Sequence, residues 1–384
     1  MTPPAMTPPE LPPLPAGAEP LTEQVTAVLA RMPDPSGGPH AARLEHDLAE
    51  AFGVSHAVAV SSGTAALHAA LSACGIRAGD EVLVPALTVV MTVAPICALD
   101  AVPVFVDSDP ATLDLDYTDA TRKVTGRTRA ILPVHLWGRM GDPAALARFA
   151  ADHGLTVVED AAQAAGTVRD GQCAGTVGVG CFSMKDGKIL WSGEGGFLLT
   201  AHREVAEHAA AFRSHWAPPP PGQAPMSRLA SNTRLAAPLA ALAAANLQRF
   251  PSLVEHRRAQ VRYLLHAARD APGLAALSPG PGEEWNGYSA LLRINLPRPR
   301  EFAVHLAAQG VPNSTGTFGL IPCDARPMFT HTEHRNPAHA RLCRGAAEIL
   351  NRTLAVVLTE RDSETTLDRY AAVITREAST WASQ

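Results

Sequence analysis

The stretch CFSMKDGKILWSGEGG, residues 181–196, sets two of the chain's three lysines, Lys185 and Lys188, on a glycine-rich turn between two apolar runs. Elsewhere positive charge is written almost entirely as arginine: of 32 basic residues, the only other lysine is Lys123. A solvated lysine exchanges readily for arginine. A lysine that condenses with an aldehyde has no such substitute, because the guanidinium stays protonated whereas the amine becomes a nucleophile. A chain that avoids lysine still has to keep that one. On this stretch alone either Lys185 or Lys188 is open as the reactive amine, the other being a turn charge.

The runs on either side, GCFSM from residue 180 and GFLLT from residue 196, are short, apolar and bounded by turn residues, the pattern of buried strands. Others come earlier: HAVAV at 56, EVLV at 81, PVFV at 103, AILPV at 130 and TVVE at 156. Helix-like segments such as GTAALHAALSACGI and DPAALARFAADHG separate several of them. Seven strands alternating with helices predict an α/β fold with a mostly parallel, helix-covered sheet. Ahead of the first strand, HAARLEHDLAEAFGV puts Leu44, Leu48 and Phe52 on one face of a helix that Gly53 ends. Behind the last, WAPPPPG at 216–222 reads as an irregular loop. An alanine-rich helix over about residues 238–250 follows, then mixed pieces including YSALLRINL from Tyr288. The expected division is a disordered, proline-stiffened tail over residues 1–20, a large domain over 21–250 and a smaller α+β domain over 251–384.

At 384 residues the chain can build a large core and two domains. Apolar residues make up 46%, charged residues 18%, and the formal net charge is -5. With no net positive balance and no basic run, neither nucleic acid nor an anionic membrane is an expected partner. Cys74, Cys97, Cys173, Cys181, Cys323 and Cys343 are scattered in mostly apolar settings and form no C-x-x-C pair. That suits core thiols of a cytoplasmic enzyme. No apolar run reaches the roughly 18 residues that span a bilayer, and the start lacks the basic and apolar regions of a secretory signal.

In a parallel sheet, binding groups gather beyond the carboxyl ends of the strands. The strand at 56 runs into SSGTAAL, residues 61–67, where Gly63 admits close approach and the next helix opens with bare N–H groups and its positive dipole end. A phosphate would sit there; an ordinary Ser/Thr helix cap reads the same way. The strand at 156 ends in VVEDAAQAAG, with Asp160 and Gln163 at the sheet edge. An acid after an apolar strand needs a cation or hydrogen-bond donors, unless it caps the helix that follows. The third site is the lysine turn. A phosphate cradle, an acid able to hold a pyridinium N–H and an aldehyde-trapping lysine are together the handles of pyridoxal 5′-phosphate, PLP. HTEHRNPAH, residues 331–339, has no diagnostic metal spacing, so no metal is expected. No strand is followed by G-x-G-x-x-G, which argues against a nicotinamide cofactor. Trp137 and Trp191 read either as lining of an acceptor pocket or as packing.

Over nearly its whole length the chain resembles the DegT/StrS family of PLP-dependent aminotransferases acting on keto-sugars and keto-cyclitols. The resemblance runs from LEHDLAEAFGVSHAVAVSSGTAALHAAL through GDEVLVPALTVVMT and VHLWGRMGDPAAL to SGEGG and SNTRL. It implies the aspartate aminotransferase-like fold of type I, with a seven-stranded sheet in the large domain. By the same resemblance Gly63 and Thr64 hold the cofactor phosphate, Ser183 reaches it, Asp160 pairs with the pyridine nitrogen and Gln163 lies against the ring. The family's lysine stands five residues before its G-E-G-G run, which selects Lys188. Some members carry histidine there and dehydrate sugars, so the lysine points to transamination. ASNTRL matches a family motif, G-x-N-x-R, that crosses to the neighbour's cofactor, through Asn232 and Arg234, with Ala230 in place of the glycine. This implies a homodimer with shared active sites. Val89 stands where the family stacks Phe or Trp on the ring, forfeiting an aromatic share of about 0.5–1.5 kcal/mol. The expected reaction moves an amino group from glutamate or glutamine to a keto-cyclitol or keto-sugar in secondary metabolite (antibiotic) biosynthesis. VHLWGRM and GCFSM…KILWSGEGG look closer to the cyclitol branch. The alternatives are other PLP chemistry (decarboxylation, aldol cleavage, dehydration) and a non-enzymatic homologue.

Overall fold

In chain order the strands are β1 (His56–Val60), β2 (Glu81–Pro85), β3 (Val102–Val106), β4 (Thr128–Ile131), β5 (Thr156–Asp160), the short β6 (Val168–Arg169) and β7 (Gln172–Cys173), then β8 (Val179–Ser183), β9 (Gly196–Thr200), β10 (Leu274–Leu277), β11 (Glu283–Glu284), β12 (Ser289–Ile294) and β13 (Thr353–Val357). The computed structural model describes residues 11–12, 19–32, 39–214, 230–330 and 342–383. Most of the expected 1–20 tail, the loop at 216–222 and the segment 331–339 lie outside the described residues.

The seven apolar runs form one sheet in the order β1-β9-β8-β5-β4-β2-β3. The pairs β2–β3, β2–β4, β4–β5 and β5–β8 are parallel, whereas β9 is antiparallel to both β8 and β1. The cause is the connection. Residues 184–195, which join β8 to β9, hold no helix to make the crossover that parallel pairs usually use.

Alternation along the strands sorts side chains onto two faces. Val58, Val60, Cys181 and Leu198 pack with Leu67 and Leu71 of the helix Gly63–Ala73. Ala57, Ala59, Phe182, Phe197 and Leu199 pack with Leu44, Leu48 and Phe52 at the helix His40–Ala51. The cross-strand partners Phe182 and Phe197 stack with ring centroids 4.6 Å apart and planes 6° from parallel. Burying each such ring is worth about 1.5–3 kcal/mol.

The alanine-rich helix runs from Ala237 to Ala267, well past the expected stop, with Pro251 inside it. A proline in a helix interior loses a backbone hydrogen bond and clashes with the preceding turn. Packing along both halves offsets this. Ala240, Ala243 and Leu247 join the core around Leu44 and Leu48, and Tyr263 and Leu264 join a second core with Phe302, Leu306 and Ile374. Residue 250, the expected domain division, falls inside this helix. The second core lies under a three-stranded sheet of order β10-β12-β13. Backbone contacts are among those that tie the parts together. β11 pairs with β6, and the Asp107 carboxylate accepts the N–H groups of Gly345 at 3.0 Å and Ala346 at 2.8 Å at the start of the helix Arg344–Arg352. Among the described residues no helix is long and apolar enough to cross a membrane.

Candidate active site

Register collects the chemistry on one sheet edge. Val60 lies opposite Gly196, Ser183 lies opposite Gly196 on the other side, and Asp160 lies opposite Cys181. The carboxyl ends of β1, β5 and β8 and the start of β9 therefore meet. Two glycines make the meeting tight: a Cβ on Gly63 would stand 2.8 Å from Ser183 Cβ, and one on Gly196 would stand 2.4 Å from the Ser62 carbonyl carbon.

After β1, Ser62 caps the helix Gly63–Ala73, its Oγ accepting the Ala65 N–H at 3.1 Å. The N–H groups of Gly63 and Thr64 meet no acceptor among the described residues. Ser183 Oγ accepts the Lys185 N–H at 3.3 Å and keeps its own proton to donate. The cap reading of SSGTAAL is thus met at Ser62, and bare amides at a helix start beside a hydroxyl donor have the chemistry that suits a phosphate.

Asp160, 6% exposed, is held by donors. Its Oδ2 accepts the Thr92 hydroxyl at 2.7 Å and its Oδ1 accepts the Ala162 N–H at 3.1 Å. A carboxylate so held remains an acceptor, the property a pyridinium N–H requires. The neighbouring acid behaves differently. Glu159 is fully buried, accepts the N–H groups of Gly175, Val177 and Gly178 at 3.1, 2.8 and 2.9 Å, and stands 2.9 Å from His135 Nε2. Its oxygens are taken up in fixing the loop that leads into β8. Gln163 Oε1 accepts the Trp137 N–H at 2.7 Å, Trp137 itself being held at φ 62°. The Trp137 ring is buried, and its Nε1 donates to Ser314 Oγ at 3.0 Å.

The three lysines occupy three environments. Lys123 is buried, its Nζ 2.6 Å from Asp119 Oδ2 and 2.7 Å from the Phe105 carbonyl. Lys185 is exposed. Lys188 is half-buried, with its Nζ 5.1 Å from the centroid of the Tyr288 ring. That ring belongs to the site. Asn286 donates to the Gln163 carbonyl at 2.9 Å and accepts the Tyr288 N–H at 2.9 Å. Lys188 and Trp191 line a cleft of about 300 Å³ with Arg257, Glu360 and Arg361, and Trp191 Nε1 donates to Glu360 Oε2 at 3.2 Å. Thr92, Asn286 and Tyr288 were not singled out from sequence. The available signal for Thr92 was its spacing of four from Thr88 in an apolar run, one helical turn apart.

Asn232 stands apart from this group: it is exposed, bridged in strand fashion to Ser214. Arg234, also exposed, donates to Ser214 Oγ at 2.9 Å. Thr233 between them accepts the Ser61 N–H at 2.8 Å, placing the motif beside the end of β1. Val89, half-buried, packs against the cluster that holds Leu87, Leu136 and Trp137. Cys181, Cys323 and Cys343 are buried and the other three half-buried; burial pushes the Cys323 thiol up to about 12. Among the described residues no group of three or more His, Cys, Asp or Glu is arranged to hold a metal.

A sequence profile of the DegT/DnrJ/EryC1/StrS aminotransferase family matches residues 16–374, and the chain belongs to that family. It is 31% identical over 339 residues to a pleiotropic regulatory protein of Geobacillus stearothermophilus, covering 87% of this chain and 89% of that one. It is 40% identical over 260 residues to the L-glutamine:2-deoxy-scyllo-inosose aminotransferase of Micromonospora echinospora, a match that spans 62% of this chain and 60% of that enzyme. Among solved structures, DesV of S. venezuelae in complex with a ketimine intermediate matches with a TM-score of 0.82 and 28% identity over 93% of this chain and 94% of that one. The architecture is that of the PLP-dependent transferases of fold type I.

Proposed function

We propose, from membership of this family, that the chain is a PLP-dependent aminotransferase that moves an amino group from glutamate or glutamine to a ketone on a polyhydroxylated ring, a keto-cyclitol in preference to a nucleotide sugar. The observation that carries the reading is the meeting, on one sheet edge, of bare helix-start amides at Gly63 and Thr64, a donor-held carboxylate at Asp160 and the turn bearing Lys188. Gly63, Thr64 and Ser183 would take the phosphate. Asp160 would accept the ring N–H, and Gln163 with Val89 would bound the ring. PLP, when bound, supplies the aldehyde that receives the amino group and the ring that takes up the electrons of the broken bond. Lys188 Nζ would be the amine that bonds the cofactor aldehyde and the base that takes the proton from the donor Cα. Asn232 and Arg234, exposed on a segment next to β1, would reach the cofactor phosphate of a second copy, making a homodimer with two shared sites. A cytoplasmic setting agrees with its free thiols.

Lys188→Ala tests the assignment. Reconstituted with PLP, the variant is expected to lack the visible absorption band and to give no pyridoxamine phosphate with glutamine or glutamate, a loss on the order of a thousandfold or more in turnover. A band of wild-type intensity near neutral pH in the variant would sink it. Mass spectrometry of products from a panel of ketocyclitols and keto-sugars identifies the acceptor. The name of the Geobacillus relative favours a second reading, a regulatory protein on this fold. Wild-type protein that binds PLP yet forms no pyridoxamine phosphate with any amino donor would support it.

A further inference from the structure

We infer that the Thr92 hydroxyl is the positioning donor for Asp160 and that Thr88 sets its direction. Thr92 Oγ1 lies 2.7 Å from Asp160 Oδ2 and 2.7 Å from Thr88 Oγ1. Both threonines are fully buried. Each has one hydroxyl proton, and an ionised carboxylate only accepts. The Thr92 proton therefore goes to Asp160, which leaves Thr88 to donate to Thr92. The order runs one way, Thr88 to Thr92 to Asp160. The turn carrying Thr88 is itself pinned: Cys323 Sγ–H donates to the Thr88 carbonyl at 3.3 Å and Cys323 N–H to the Ala86 carbonyl at 2.9 Å. With the Ala162 N–H on Oδ1, each carboxylate oxygen has one donor. The plane of the group is then fixed before any cofactor arrives, leaving lone pairs for a ring N–H.

This role rests on the reading that Asp160 faces the ring nitrogen of PLP, and the test separates the two. Dissociation constants are measured by fluorescence titration for PLP and for 1-deazapyridoxal 5′-phosphate, which carries carbon in place of the ring nitrogen. The proteins are the wild type, Thr92→Val, Thr92→Ser, Thr88→Val and the double Val variant. Thr92→Val is expected to bind PLP about tenfold more weakly, the loss that follows from removing a hydrogen bond to a charged group, and to bind the deaza analogue within about twofold of wild type. Thr92→Ser restores PLP binding to within about twofold. Thr88→Val costs about threefold and adds nothing to Thr92→Val, because the two act in series. Equal losses for both ligands in Thr92→Val overturn the inference, since the hydroxyl would then serve packing alone. Equal binding of both ligands by the wild type overturns the pairing of Asp160 with the ring nitrogen instead. If Thr92→Val does not fold, Thr88→Val carries the test: a loss confined to PLP supports the relay, and a loss shared by both ligands overturns it.

Discussion

Asp160 and Lys188 stand at the same sheet edge and are held in opposite ways. The acid is 6% exposed, with a donor on each oxygen. The amine is half-buried on a turn, with the face of an aromatic ring 5.1 Å away. Hydrogen bonds are directional and fix a plane; a cation over a ring is attracted without a preferred torsion. A group that keeps one charge and one position through a reaction suits the first environment. A group that binds, lets go and carries a proton suits the second. The contrast in restraint thus follows the contrast in proposed task.

The most severe way to break the comparison is Asp160→Ala. It strips the Thr92 hydroxyl and the Ala162 N–H of their acceptor at a buried place, where an unsatisfied donor costs about 1–3 kcal/mol. A lower melting temperature is expected together with turnover down on the order of a hundredfold or more. Unchanged turnover would remove Asp160 from the mechanism. Tyr288→Leu probes the other end. Losing a cation–π contact is expected to lower kcat about fivefold with KM for the amino donor within twofold, and Tyr288→Phe should keep the wild-type rate. If Leu and Phe behave alike, the ring serves only packing. Val89→Phe adds to the site: with the aromatic face restored, PLP affinity should rise about threefold by fluorescence titration. A weaker affinity would mean that the cluster around Leu136 and Trp137 has no room for the larger ring.

Strand positions were readable because each apolar run announces itself locally, whereas the reversal of β9 was not among the expectations and came with the fold. The setting of each lysine was partly readable as well: Lys185 lies in solvent and Lys188 does not. What escaped were contacts that no local pattern carries. Thr92 acquires its meaning when the helix Val90–Ala98, which follows β2, meets the end of β5, a pairing of residues far apart in the chain. Tyr288 comes to Lys188 through Asn286 and Gln163, from beyond the long helix. Pro251 reads locally as a stop, yet apolar packing on both sides of it carries the helix on to Ala267. The same side-by-side comparison explains Glu159 and Asp160: adjacent in sequence, they point to opposite faces of β5, and only the fold says which is taken up by the loop.

The scarcity of lysine has a practical corollary for anyone handling this protein. Lys123 is sealed in an ion pair, so reagents that acylate amines, or resins that capture them, would meet Lys185 first among the lysines. That handle sits on the same turn as Lys188, and tethering there would turn the proposed active site toward the support. Coupling through surface carboxylates would leave it open to the medium.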